Sequence, residues 1–266
     1  YALATQQVDT EDRTYELVRR EIQELEAEAH DVVHDITTIS FGGYPALRDR
    51  YLLLACGGAY GDHRGPVLVA RKPVRAGEVE GLEVAVPGED SAAALALRLW
   101  LPQAHLKLKA MPVREIALRV RAGHVRAGLL VNEDIVTYRN HNLVRIVDLG
   151  QWWGDRAEGL PIAITANVVR RDIPPEERSK LALDLKRSIA YALGHREEAL
   201  DWAMQFAGKN DRETIDRYIA RYVNDLSLDC GERGRQAARL LFQQGARHRF
   251  LPEAYEPVYH GDEAAL

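Results

Sequence analysis

Cysteine is scarce in this chain: 266 residues hold only Cys56 and Cys230, far apart and without CxxC or metal-ligand spacing. A disulfide framework and a thiolate metal centre therefore lack support. Two buried free thiols are expected, with one disulfide as the alternative. Long apolar runs are missing too, and no stretch approaches the roughly 18 residues that a spanning helix needs. Positive charge is not in surplus: 35 Lys and Arg are interspersed with 40 Asp and Glu, for a net charge of −5. That balance argues against a nucleic-acid partner. GxSxG, P-loop and GxGxxG signatures are absent, which removes support for hydrolase, NTPase and dinucleotide-binding readings. Nine histidines are present, none with a partner at a metal-binding spacing such as HExxH. Tyr1 is neither an initiator Met nor the start of a charged-then-apolar leader, so the chain reads as a fragment that has lost an opening strand. This end gives no information on compartment.

What is present is an ordinary globular composition, 46% hydrophobic and 28% charged, at a length that makes two lobes the default. Strand and helix signals alternate, which predicts an α/β fold with a largely parallel sheet. Strands are expected at 15–18, 32–40, 51–55, 67–70, 82–86, 106–110 and 127–131, and one ending at Asp148. Helices are expected at 21–29, 91–101 and 113–122. Pro174-Pro175-Glu176-Glu177 starts a further helix, with proline and acids in the first turn. Leu181, Leu185, Ile189 and Leu193 give it one apolar face, and Gly194 stops it. Helices near 197–207, 212–224 and 231–244 read as packing elements without chemistry.

The segment Gly128–Gly150, GLLVNEDIVTYRNHNLVRIVDLG, is the most informative. An apolar strand ends abruptly in Asn132-Glu133-Asp134, and ligands of open α/β sheets bind beyond the carboxyl ends of strands. Two other segments share a design in which a strand leads to a hydroxyl near a helix start. One ends at Ser40 before Gly42-Gly43; the other runs from Val86 through Pro87-Gly88-Glu89-Asp90 to Ser91. Unpaired N–H groups at such starts favour an anion, although Ser40 and Ser91 also read simply as caps. Asp90 weakens an anion site by offering its own carboxylate. Trp152-Trp153 reads either as the wall of a ring-binding pocket or as packing between lobes.

Several segments together resemble the 1,4-dihydroxy-6-naphthoate synthases of the futalosine route to menaquinone. They are YPALRDRY (44–51), Gly57-Gly58-Ala59, GPVLVAR (65–71), VAVPG (84–88) and the 128–150 segment. Trp152-Trp153, Leu160-Pro161, Arg170-Arg171-Asp172, SIAYAL (188–193) with Glu197-Glu198-Ala199-Leu200, and Tyr222-Val223-Asn224 through Ser227-Leu228-Asp229 follow in order. The resemblance implies a two-lobed periplasmic-binding-protein-like (type II) α/β fold with a ligand cleft between lobes. Residues 1–75 and 163–266 would form lobe I and 76–162 an inserted lobe II, with crossings near 71–82 and 155–166. It implies a carbon–carbon lyase that cleaves a cyclic dehypoxanthine futalosine-type substrate, without metal or organic cofactor, cytoplasmic if an enzyme. Its ligand-contacting strand end falls on Thr38 and Ser40, and its Thr-Thr pair on Ser91 and Ala92. Its catalytic histidine falls on Asn132, and a carboxamide has no proton-accepting pKa near neutrality. Two functions follow. One is a synthase-type enzyme whose base lies elsewhere (His63, His34, Asp90 or Glu133). The other is a non-catalytic receptor for a small carboxylated ligand.

Overall fold

The computed structural model describes residues 1–263. In chain order the elements begin α1 (Ile22–His30), β1 (Ile36–Ser40), α2 (Tyr44–Leu47), β2 (Tyr51–Leu53), β3 (Ala59–Gly61) and β4 (Val67–Ala70). Then come β5 (Glu83–Val86), α3 (Ala92–Trp100), β6 (Lys107–Ala110), α4 (Val113–Ala122), β7 (Ala127–Leu130) and α5 (Asp134–Thr137). β8 (Val144–Asp148), α6 (Leu149–Gly154) and β9 (Ile162–Arg170) precede a helical tail. The tail is α7 (Pro175–Gly194), α8 (Arg196–Met204), α9 (Arg212–Tyr222), α10 (Asp225–Leu228) and α11 (Gly231–Arg247). No described helix is long and apolar enough to cross a membrane.

The strands form two sheets. In the first, β1, β2 and β3 all pair with β9; the second has the order β6-β5-β7-β4-β8. A largely parallel sheet was the expectation, and it is corrected here. Only β5–β6 and β5–β7 are parallel, and the other five pairings are antiparallel. Short apolar runs report burial on both faces, not strand direction.

Three further expectations are corrected. Tyr15–Val18 forms no strand. The Tyr15 hydroxyl instead donates to the fully buried Asp184 of α7 at 2.7 Å, beside Arg13 Nε at 2.8 Å. The first crossing precedes Val67 rather than spanning 71–82, because β4 is hydrogen-bonded between β7 and β8 in the second sheet. Its VLVA sequence suits either sheet, and partners decide which. The second crossing lies earlier than expected, between the end of β8 at Asp148 and Ile162, where β9 begins and becomes the axis of the first sheet.

One core runs through both sheets. Ile39 and Leu53 of the first are continuous with Leu68, Val84 and Leu129 of the second, by way of Leu97 of α3 and Phe242 of α11. On α11, Gly234, Ala237, Ala238, Leu241, Phe242 and Gly245 are buried at the spacing of one helix face. Gly128 lets α4 lie close on β7, since a Cβ there would stand 2.6 Å from Ile116 Cγ2. Both cysteines are buried free thiols, and burial pushes that of Cys56 up to about 11.

The two crossings meet at Asp148. Its Oδ1 accepts from the N–H groups of Gly65 (2.9 Å), Gly150 (3.0 Å) and Gln151 (3.3 Å). Its Oδ2 pairs with Arg221 of α9, whose Nη2 also donates to the Gly65 carbonyl at 2.8 Å. Replacing Asp148 by Ala strands a largely buried guanidinium, so Asp148→Ala is expected to lose about 3–5 kcal/mol. The midpoint of urea unfolding followed by circular dichroism checks this.

Candidate functional site

A cavity of about 360 Å³ opens where the strands of both sheets end, a size within the range of small-molecule sites. The first sheet contributes Ser40, Ala59, Ile164 and Thr165, and the second contributes Pro87, Ser91, Val131 and Asn132. The start of α1 (Glu21–Gln23) and one face of α9 (Tyr218, Ile219, Tyr222) complete the wall. Most of these side chains are apolar or aromatic.

Ser40, Ser91 and Asn132 are thus brought to one cavity, and Ser40 and Ser91 are tied together through α3. The Ser40 hydroxyl accepts from the Ala92 N–H at 2.7 Å. The Ser91 hydroxyl caps the same helix, accepting from Ala94 N–H at 3.2 Å and donating to the Gly88 carbonyl at 2.7 Å. Among the first-turn amides of α3, that of Ala93 has no hydrogen-bond partner among the described residues, and Ala93 lines the cavity. Gly42 permits this approach, because a Cβ there would fall 2.0 Å from the Asp90 carbonyl oxygen. The Ala92 side chain is fully buried, so its backbone makes the contact.

At Asn132, Nδ2 donates to Asp134 Oδ2 at 3.1 Å, while Oδ1 is buried without a partner. The neighbouring Val131 carbonyl accepts from the Tyr218 hydroxyl at 3.1 Å. Tyr222 is buried, its hydroxyl also unpartnered, and desolvation pushes its pKa up to about 12. Thr38 lies elsewhere. It sits two residues back from the strand end, where its hydroxyl donates to Asn167 Oδ1 at 2.7 Å, and it lines a separate groove.

None of the four bases considered from sequence lines the cavity. His34 pairs with Glu28 at 2.7 Å, and Glu133 accepts from Asn210 at 3.1 Å. His63 stands against Gly154, and Asp90 faces another hollow. The carboxylate that does line the cavity is Glu21, the N-terminal cap residue of α1, 3.9 Å from Arg114. Among the described residues no group of three or more His, Cys, Asp or Glu could hold a metal ion. The α9 tyrosines escaped the sequence reading. Their i, i+4 spacing puts Tyr218 and Tyr222 on one face, but that pattern does not distinguish a core from a cavity.

A family profile described as menaquinone biosynthesis matches residues 1–247. The chain belongs to this family. A 1,4-dihydroxy-6-naphthoate synthase of Thermus thermophilus is 38% identical over 84% of this chain and 80% of that protein. One from Streptomyces coelicolor is 34% identical over 82% and 78%. A crystal structure of an Archaeoglobus fulgidus protein superposes with a TM-score of 0.87 at 30% identity, covering 94% of this chain and 92% of that one. The ligand-binding component of an ABC-type import system from Staphylococcus aureus shares the fold, with TM-score 0.69 at 14% identity, covering 97% and 87%. The family member is therefore a two-lobed α/β protein of the periplasmic-binding-protein type.

Behind Ser40 stands Glu26, whose Oε1 accepts the Ser40 N–H at 2.7 Å. Burial pushes this carboxyl up to about 7, against the Ser40 hydrogen bond and with help from Asp90. The folded protein therefore keeps a proton that the unfolded chain loses near the ordinary value of 4.5. Stability falls as pH rises from there to about 7, and the loss is complete above it. Glu26→Gln removes that penalty while keeping an acceptor for Ser40. The variant should gain on the order of 2 kcal/mol over the parent at pH 8 and nothing at pH 4, read from denaturant unfolding at both.

Proposed function

We propose that the chain is a cytoplasmic carbon–carbon lyase of the 1,4-dihydroxy-6-naphthoate synthase type, releasing the naphthoate from a cyclic dehypoxanthine futalosine-type substrate. The observation that carries this reading is the largely apolar cavity at the joined strand ends, in a chain 38% identical to a synthase of that name. A flat ring system gains from burial against Ile22, Val113, Ile164 and the α9 tyrosines. The carboxylate is received by the free Ala93 amide at the start of α3, where the helix dipole favours an anion. Ser40, Ser91 and Ala92 set the spacing of that amide from the first sheet, and Asn132 Oδ1 accepts a hydrogen bond from a substrate hydroxyl. Thr38 acts from behind by fixing Asn167. Proton transfer falls to Glu21, the carboxylate on the cavity wall.

A second reading, a receptor that binds the carboxylated ligand without turnover, draws on Asn132 alone. The two readings separate in one experiment. Incubation with cyclic dehypoxanthine futalosine should yield naphthoate by mass spectrometry. Binding by calorimetry without product would establish the receptor instead.

Asn132→His adds a group that titrates near neutrality. It should raise turnover by on the order of 10²-fold or more, since general-base catalysis typically contributes that much. Unchanged turnover in this variant, together with loss of activity in Glu21→Gln, would leave Glu21 as the sole base.

A further inference from the structure

Away from the cleft, the C-terminal end of α3, α6 and α11 enclose a second hollow of about 480 Å³. The Trp152-Trp153 pair, which the proposed reaction does not use, lies on its wall with Trp100. The two adjacent indoles stand edge to face with centroids 6.1 Å apart. Trp153 is spoken for: it is buried and its Nε1–H donates to the Pro161 carbonyl at 3.1 Å. Trp100 and Trp152 are only half-buried, and neither indole N–H has a partner among the described residues.

The charged groups of this wall are all of one sign. Arg156 and Arg247 line it, with the imidazole of His248 beside them, and no Asp or Glu does. Neither arginine makes an ion pair among the described residues, whereas sixteen of the other arginines do. Arg156 instead places its guanidinium carbon 5.5 Å from the centroid of the Trp152 ring, within cation–π range. Aromatic faces offer large contact area at low entropic cost, and unpaired guanidinium forks match carboxylate and phosphate oxygens.

We infer that this hollow is a second ligand site, which takes a flat aromatic molecule bearing a carboxylate or phosphate. The ring lies against Trp100 and Trp152, and the anion meets Arg156 and Arg247. The site is separate from the lyase cavity. The cavity receives the first turn of α3 through Ser91 and Ala93, and the hollow receives its last turn through Leu99 and Trp100.

The test uses 2-naphthoate and adenosine monophosphate as probes, followed by quenching of tryptophan fluorescence in the intact protein. At least one should quench saturably at up to millimolar concentration, and which one does so names the preferred anion. Arg156→Glu combined with Arg247→Glu alters only exposed side chains, so folding is preserved. It should weaken that binding by about tenfold or more, a loss of roughly 1.4 kcal/mol, while leaving naphthoate release unchanged. Trp152→Leu should weaken it as well. Absence of saturable quenching by both probes overturns the inference, and so does quenching that persists at the same affinity in the double variant.

Discussion

The Asp148 carboxylate ties together the two chain segments that join the sheets. It ends β8 and starts α6, and it takes three backbone N–H groups from the two chain segments that pass between the sheets. Those segments touch so closely that a Cβ on Gly65 would stand 2.5 Å from the Gly150 nitrogen. A buried carboxylate with so many donors needs a matching cation, and Arg221 supplies it from α9. The consequence reaches the ligand cavity, because α9 also carries Tyr218 and Tyr222. One ion pair therefore sets the crossings and one wall of the site together.

Local signals were legible where they are chemically unambiguous. The helix over Val113–Ala122 begins after a proline and ends at Gly123, whose φ of 79° suits glycine. Ser91 caps α3 as its sequence suggests, and α7 starts at the Pro-Glu-Glu run. Strands were harder, because a strand exists only through its partners. The sequence ITANVVR in β9 carries as many polar or small residues as a loop, yet three strands converge on it. Tyr15–Val18 has a strand-like composition and no partner. In the site, Ser40, Ser91 and Asn132 were legible as residues at strand ends. The tyrosines of α9 were not, since an amphipathic face looks the same whether it covers a core or a cavity.

The α3 helix explains why the cavity is so sparing in polar groups. A bare helix start would present several free amides, but here the first is taken by Ser40 and the third by Ser91. What remains of that helix start is one amide, which shares the cavity with the Asn132 carboxamide oxygen, Glu21, Gln23 and Thr165 among mostly apolar and aromatic side chains. Such a surface discriminates by shape and by ring burial, with the few polar atoms fixing orientation. Asn132 Oδ1 is a buried acceptor without a protein partner, and an unpaired buried acceptor costs free energy that a hydrogen-bond donor would restore.

The same contacts bear on the choice between receptor and enzyme. Receptors of this fold class work by hinge closure, which requires two lobes that separate at low cost. Here one apolar core is continuous through both sheets, and the Ser40–Ala92 hydrogen bond spans the cleft directly. Opening would expose that core, break this bond and disturb the Asp148 cluster at the crossings. These contacts fix the two walls of the cavity relative to each other. Polar groups fixed in place stabilise developing charge without reorganising at the moment of reaction. The packing across the joint therefore favours chemistry over transport, although the residue at position 132 is a poor base.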